Sequence, residues 1–280
     1  MTRALRLGGW RGALLLAGVA ALLFFTAFPF AWMIATAFKA PREIFVSPPT
    51  FFPSELTLEN VSRLFAQTRF ATYLANSVLV ASGTVALTLA IATPGAYSLT
   101  RFRYRGRETI SATILFVYMF APIMIIIPFY VLMRTLGLAN THLGLVLAYT
   151  TFCLPFALWL LRTFFQSIPL ELEEAALTDG ASRAQSVRYV VLPLALPGVV
   201  ATGIFTFILA WNDYIFARVL ISADELKTLP VGIADLYNAS VVDWGMIMSA
   251  GMLVLLPVLA VFVVVQRYMV AGWGSGGIKG

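Results

Sequence analysis

The residues best suited to chemistry form an acidic group in one polar segment. Glu171, Glu173 and Glu174 are near neighbours, and Asp179 follows shortly after them. Paired carboxylates can act as the acid and the base of a hydrolase when their surroundings separate their pKa values. No histidine or cysteine accompanies this group, and the segment is charged and polar. The sequence therefore argues against enzymatic chemistry at this place.

Other reactive patterns are also missing from the sequence. His142 is the single histidine, which excludes a His-Glu-x-x-His zinc site, and Cys153 is the single cysteine, which excludes a thiolate metal cluster. No phosphate-binding loop occurs, since no Gly-Lys dipeptide is present. We expect no metal and no cofactor in this chain, and an interfacial role for His142.

The composition is that of a membrane protein. The 280 residues are 60% hydrophobic and 11% charged, with a mean hydropathy of +0.88. Soluble domains carry roughly 25% charged residues. The net charge of +6 falls in short segments between apolar runs, so it indicates membrane topology and not a nucleic-acid partner.

Long stretches without Asp, Glu, Lys or Arg predict the membrane spans. They are Gly12 to Phe38, Phe70 to Thr100, Thr109 to Met133, Thr135 to Leu161, Tyr189 to Asn212 and Trp244 to Gln266. Each reaches the roughly 20 residues that a helix needs to cross the bilayer. We predict an all-α protein with six transmembrane helices, the first of them an uncleaved span and not a signal peptide.

The placement of cationic residues predicts the orientation. With the N-terminus inside, twelve of the 19 Lys and Arg residues are internal. The densest group, Arg101 to Arg107, lies in a very short loop, where the positive-inside bias is strongest. Both termini are therefore expected on the cytoplasmic side. The first external loop, Lys39 to Arg69, is expected to contain a short amphipathic helix that begins near Thr57.

The internal loop, Arg162 to Arg188, is predicted to contain a short helix over about residues 168–181. Ser167 is a candidate N-cap, and Pro169 suits an early helical position. The glutamates favour the positive end of the helix dipole, and Gly180 permits a sharp turn. These residues alone leave open whether this is an ordinary solvated helix or a docking surface.

A spaced pattern in this loop resembles the EAA loop of ABC importer permeases. The pattern is Glu174-Ala175-Ala176, then Gly180, Val190 and Leu192-Pro193, with valine where isoleucine is usual. Residues 210–214, 228–232 and 266–280 resemble the carbohydrate-uptake branch, which includes the smaller membrane subunit of maltose transporters. Trp273 departs from that branch because a smaller residue is usual there.

The resemblance implies the type I ABC importer fold and three segments. Residues 1–72 would hold the first helix and the external loop, residues 73–266 the permease core, and residues 267–280 a cytoplasmic tail. Glu174 would be the main polar anchor of a coupling helix. Ala175 and Ala176 would be its contact face, with Asp179 beside the turn at Gly180. Gly276, Gly277 and Lys279 would lie along the ATPase interface.

The resemblance also implies the partners. These are a second permease subunit, two cytosolic subunits that bind ATP and Mg²⁺, and an extracytoplasmic solute-binding protein, in a bacterial or archaeal plasma membrane. The expected solutes are sugars or polyols. Glycerol phosphate is an alternative, and an ion-coupled secondary transporter is the rival class. No charged residue lies inside the predicted spans to bind a coupling ion.

Polar residues near the predicted outer ends of the spans are candidates for the solute pathway. They are Asn76, Asn212 and Asp213. Polar residues in membrane helices also serve to join helices by hydrogen bonds. Packing and solute contact therefore both remain open for Asn76 and Asn212, whereas Asp213 is expected at the outer interface, close to an entrance.

Overall fold

The computed structural model describes residues 10–120 and 122–274, and no strand occurs among them. The all-α class predicted from the sequence is confirmed. The helices are α1 (Trp10–Ala37), α2 (Glu59–Gln67), α3 (Phe70–Arg101), α4 (Arg107–Tyr118), α5 (Ile126–Thr135), α6 (His142–Gln166), α7 (Leu170–Thr178), α8 (Arg183–Ser186), α9 (Leu192–Asn212), α10 (Ile215–Leu220), α11 (Leu229–Tyr237) and α12 (Trp244–Gly274).

Five continuous stretches in the described part of the chain are long and apolar enough to cross a bilayer. They lie in α1, α3, α6, the continuous run Arg183–Asn212 and α12. The third predicted span, Thr109 to Met133, is instead a pair of helices. It comprises Arg107–Tyr118 and Pro122–Thr135, bent by 87°. Counted with this pair, the structure contains the six predicted spans.

The bend in the third span follows from its proline. Pro122 has no backbone N–H and cannot continue the hydrogen-bond ladder of α4. Residues Pro122–Ile125 form a 3₁₀ turn before α5 begins. The sequence shows one uncharged apolar run here, because hydropathy does not reflect the hydrogen bond that Pro122 cannot donate.

The fourth span begins later than the sequence predicts, at His142 and not at Thr135. Gly137 and Asn140 have positive φ angles of 70° and 58°, so the chain turns between α5 and α6. Thr141 then caps α6, since its Oγ1 accepts a hydrogen bond of 3.0 Å from the amide of Gly144. These residues are uncharged, which is why the charge-free stretch extended over them.

The contacts divide the chain into two units. The first unit comprises Met1–Phe70 with Ile233–Leu256, and the second comprises Ala71–Gly232 with Pro257–Gly280. The division into residues 1–72, 73–266 and 267–280 inferred from the sequence stays a prediction.

A buried amide organises the first unit. The Asn60 side chain is fully buried and donates hydrogen bonds to the carbonyls of Ala37 at 3.1 Å and Lys39 at 2.7 Å. It fixes α2 against the chain that leaves α1. Helix α2 begins at Glu59, close to the predicted start near Thr57. The Glu59 amide donates a hydrogen bond of 3.1 Å to Thr57 Oγ1. Arg63 forms an ion pair with Asp243.

The core of the second unit lies where α3, α6 and α9 meet. Small residues let these helices approach closely, with Ala92 and Ala96 on α3 and Ala195 on α9 packed around Leu161 and Phe165 of α6. Gly198 of α9 lies directly against Phe164. A Cβ built at Gly198 would stand 2.3 Å from Phe164 Cγ and 2.7 Å from its Cβ.

We expect Gly198→Ala to destabilise the protein by about 1–3 kcal/mol, because the added methyl group overpacks the contact between α6 and α9. Gly18→Ala is the matched control, since nothing lies within 4 Å of a Cβ there. The readout is the midpoint of thermal unfolding in detergent. Equal midpoints for the two variants would contradict the close contact.

Candidate functional site

Helix α7 occupies the loop that was predicted to hold a short helix. It begins at Leu170 after Pro169, and no side chain caps it. The prediction that Ser167 is the N-cap is wrong, because Ser167 ends α6 and its hydroxyl donates to the Phe164 carbonyl at 2.7 Å. Gly180 follows α7 with φ of 88°, a left-handed conformation that other residues adopt only with strain.

One glutamate of α7 is buried. Glu173 is 4% exposed, and its Oε2 lies 3.0 Å from Arg101 Nε at the end of α3. Its Oε1 accepts a hydrogen bond from the Tyr97 hydroxyl. Arg101 Nη2 also donates to the Ile168 carbonyl at 3.0 Å, just before α7. We call Tyr97, Arg101 and Glu173 the Glu173 cluster.

The sequence interpretation missed the Glu173 cluster because it assigned all three glutamates to the helix dipole. A signal was present. Leu170 and Leu177 precede and follow Glu173 by three and four positions, so the three residues share one partly apolar helix face. Tyr97 and Arg101 are likewise one helical turn apart. An acidic residue on an apolar helix face is a candidate for a buried pair.

The residues of α7 and its turn that are expected to contact an ATPase are mostly exposed. Glu174 and Ala175 are exposed and Ala176 is half-buried, while Asp179 and Gly180 are exposed in the turn. Within the described part of the chain, the Glu174 carboxylate has no ion-pair partner. Gly276, Gly277 and Lys279 lie outside the described residues, and their role stays a prediction.

The segment after α7 is irregular in a defined way. Ser182 and Gln185 form a reciprocal capping box that starts α8. Val187–Val191 then adopts a π-helical turn before Leu192 and Pro193 begin α9. Such turns are rare and occur frequently at functional sites. The whole spaced pattern from Glu174 to Pro193 thus runs from α7 through the turn at Gly180, α8 and the π-helical turn to the start of α9.

The side chains of Asn76 and Asn212 both donate hydrogen bonds to backbone carbonyls. The Asn76 amide is buried and donates to the carbonyls of Glu225 at 2.8 Å and Lys227 at 2.9 Å. Asn212 is exposed and donates to the Ile208 carbonyl of its own helix at 2.8 Å. Their role in a solute pathway stays a prediction.

Asp213 lies at a cavity of about 740 Å³ in the second unit. The walls are mainly aromatic and aliphatic and come from α4, the turn before α5, α6, α9 and α10. Of the described residues that line it, Asp213 alone carries a charge, and Tyr118, Tyr149 and Thr151 add hydroxyl groups. Such a lining suits an uncharged molecule with apolar faces.

The Asp213 carboxylate is held firmly at the edge of this cavity. Its Oδ1 accepts hydrogen bonds from the Tyr149 hydroxyl at 2.9 Å and from the amides of Phe216 at 3.1 Å and Ala217 at 3.2 Å. Burial raises the pKa of the Asp213 carboxyl, and these hydrogen bonds oppose the rise. Asp213 therefore takes up a proton at a higher pH than an exposed aspartate does.

Among the described residues, no group of three His, Cys, Asp or Glu side chains converges as metal ligands do.

Comparison with known proteins decides the family. Residues 90–273 match the family described as the binding-protein-dependent transport system inner membrane component. The chain belongs to this family. The resemblance of its Glu174 to Pro193 pattern to the ABC importer permeases is confirmed. The chain is a multi-pass membrane permease component and not an ATPase.

Individual permeases match along nearly their whole length. The diacetylchitobiose uptake system permease protein DasC of Streptomyces coelicolor is 36% identical over 90% of this chain and 92% of that protein. The trehalose/maltose transport system permease protein MalG of Thermococcus litoralis is 33% identical over 95% and 96%.

A solved structure has the same fold. It is the crystal structure of a bacterial ABC transporter involved in the import of the acidic polysaccharide alginate. The match has a TM-score of 0.79 and 28% identity, and it covers 96% of this permease and 98% of that chain. The transmembrane fold of an ABC importer, expected from the resemblance, is confirmed.

We expect Asp213→Ala to lower the free energy of unfolding by about 1–3 kcal/mol, because it leaves the Tyr149 hydroxyl and two amides without their acceptor. Asn212→Ala, next to it in the chain, removes an exposed amide and should change stability by less than about 0.5 kcal/mol. Thermal unfolding in detergent measures both. Equal effects would show that the hydrogen bonds of Asp213 contribute nothing.

Proposed function

We propose that this permease forms half of the translocation pathway of an ATP-driven importer for sugars or polyols. It would pair with a second permease subunit, receive solute from an extracytoplasmic binding protein and be driven by two cytosolic subunits that bind ATP and Mg²⁺. The absence of a phosphate-binding loop from the sequence supports a separate energy source. We place the complex in a bacterial or archaeal plasma membrane, with both termini of this chain in the cytoplasm.

The observation that carries the proposal is the two-sided character of α7. Glu173 fixes one side to α3, while Glu174 and Ala175 are exposed on the other. A helix held from one side, with small residues and a carboxylate on the other, suits close docking on a cationic groove. By the positive-inside bias this face would lie in the cytoplasm, where an ATPase subunit would meet it.

The proposed mechanism uses α7 as the point where force enters. Closure of the ATPase pair on ATP would move α7 together with its counterpart on the second permease. The spans would then turn from inward-facing to outward-facing, and hydrolysis would reset them. Gly180 allows the chain to reverse direction directly after the docking face.

The cavity and two of the relatives favour a neutral carbohydrate. Two relatives carry diacetylchitobiose and trehalose/maltose in their names. Sugar rings have apolar faces that pack on aromatic side chains, and the cavity offers these together with Tyr149 and Asp213. Glycerol phosphate would need a cationic side chain, and the described lining contains none. An ion-coupled mechanism would need ion ligands at membrane depth, and it is not favoured here.

The docking face is tested by charge reversal. Glu174→Lys should reduce co-purification of the ATPase subunits by roughly tenfold or more, because a like-charge contact replaces an attraction. Glu55→Lys is the control, since Glu55 is also exposed but lies in the loop predicted to be external. Undiminished co-purification of Glu174→Lys would refute the docking role, and an equal loss in the control would show a general effect of charge.

The solute class is tested by competition. In vesicles that contain the whole importer and its binding protein, we expect trehalose or maltose to compete for uptake more strongly than glycerol 3-phosphate. The reason is that the phosphate would meet Asp213 without a compensating cation. The measurement is the concentration of each competitor that halves uptake of the sugar retained by the purified binding protein. Stronger competition by glycerol 3-phosphate would reverse the assignment.

A further inference from the structure

Helix α3 connects two sets of side-chain contacts at opposite ends. At its final turns, Tyr97 and Arg101 hold Glu173 of α7. At its first turns, Tyr73, Asn76 and Ser77 hold residues 224–229, the segment between α10 and α11. We infer that α3 transmits the displacement of α7 to residues 224–229, with Glu173, Arg101 and Asn76 as positioning residues. This inference rests on the proposed function, because α7 must first be moved by an ATPase.

The link from α7 to α3 is made by side chains between distant parts of the sequence. The chain joins α7 to α6 and, through α8 and the π-helical turn, to α9, but Tyr97 and Glu173 are 76 residues apart. Without the Glu173 cluster, a displacement of α7 would act on α6 and α9 through these neighbouring segments of the chain. The cluster adds α3 to the spans that must follow.

The Glu173 cluster is suited to transmit force without separating. The Arg101 and Glu173 side chains are 8% and 5% exposed, and both carboxylate oxygens of Glu173 have a partner. Tyr97 is held in turn by edge-to-face contacts with Phe102 and Phe165, at centroid distances of 5.9 Å and 6.0 Å. Separating the pair would leave two unpaired charges away from water, which is strongly unfavourable. Helix α7 and the C-terminal end of α3 therefore move together.

The contacts at the other end of α3 are equally direct. Tyr73 donates to Asp224 at 3.0 Å. The buried Asn76 side-chain amide donates hydrogen bonds to two carbonyls of the segment, and Ser77 Oγ accepts one from the Leu229 amide at 2.8 Å. These bonds tie residues 224–229 to the first two turns of α3. Tyr73 and Tyr97 are 24 residues apart on α3, so the helix carries this attachment roughly 36 Å from the Glu173 cluster.

Residues 224–227 are partly or fully exposed, and such a movement would displace them. Glu225 is exposed, while its backbone carbonyl is held by Asn76. By the predicted orientation this segment lies on the side where the binding protein arrives. A displacement that begins at the ATPase would thus alter the opposite face of the permease through one helix.

The test measures the reactivity of residue 225 in the assembled importer. The background is Cys153→Ala with Glu225→Cys, in the complete complex with its partner permease and ATPase subunits. A maleimide reagent labels residue 225 without nucleotide and with ATP, Mg²⁺ and vanadate, and labelling of this chain is read after electrophoresis. We expect nucleotide to change the labelling rate. Glu173→Gln should abolish that change while ATPase subunits still co-purify, since the Glu174 face is intact.

Asn76→Ala examines the other end and keeps the inference testable if Glu173→Gln fails to assemble. It should also abolish the nucleotide-dependent change, and the double variant should show no additional loss, as expected for two positions on one path. Glu108→Gln is the control, because its carboxylate pairs with Arg162 outside this path, and it should keep the change. Retention of the change in both Glu173→Gln and Asn76→Ala would overturn the inference.

Different outcomes contradict the proposed function and the role of α3. If the unaltered complex contains no ATPase subunit, the proposed function falls and the inference falls with it. If the ATPase subunits co-purify and hydrolyse ATP but nucleotide leaves the labelling of residue 225 unchanged, the inference alone is wrong. Loss of the change in Glu108→Gln as well would also overturn it, because the effect would then not depend on α3.

Discussion

The buried ion pair between Arg101 and Glu173 is the interaction on which the loop helix depends. Helix α7 has nine residues and no capping side chain, so its own hydrogen bonds barely stabilise it. Burying two charges costs free energy, and the cost is offset here by close pairing, the Tyr97 hydroxyl and the Ile168 carbonyl. Location and orientation of α7 thus follow from the end of α3.

Several hydroxyl groups within the spans are satisfied by the backbone of their own helix. In lipid a hydroxyl finds no water, and Thr84, Thr100 and Thr202 each donate to the carbonyl four residues earlier. Asn76 and Asp213 serve backbone groups at the ends of helices. Of the polar residues that the sequence offered for the solute pathway, Asp213 combines such a structural role with a place in the cavity lining.

Composition and spacing predicted the spans and the short helix well, because apolar length and a glycine after a helix are local properties. The bend at Pro122 and the late start of α6 at His142 depend on single hydrogen bonds within uncharged runs, so hydropathy could not register them. Burial of Glu173 depends on Tyr97 and Arg101, far away in the sequence. Glu173 is buried and its neighbour Glu174 is exposed, although both carry the same charge. Only the folded structure distinguishes the two.

The adjacency of Glu173 and Glu174 has a consequence for how permeases and ATPases are matched. One carboxylate serves the interior of this chain, and the next is turned to the outside. If α7 docks on an ATPase as proposed, substitutions on the outward side would change the choice of ATPase without altering the fold of the permease. A permease lineage could exchange its motor subunit while conserving its transmembrane architecture, and an engineer could re-pair the two in the same way.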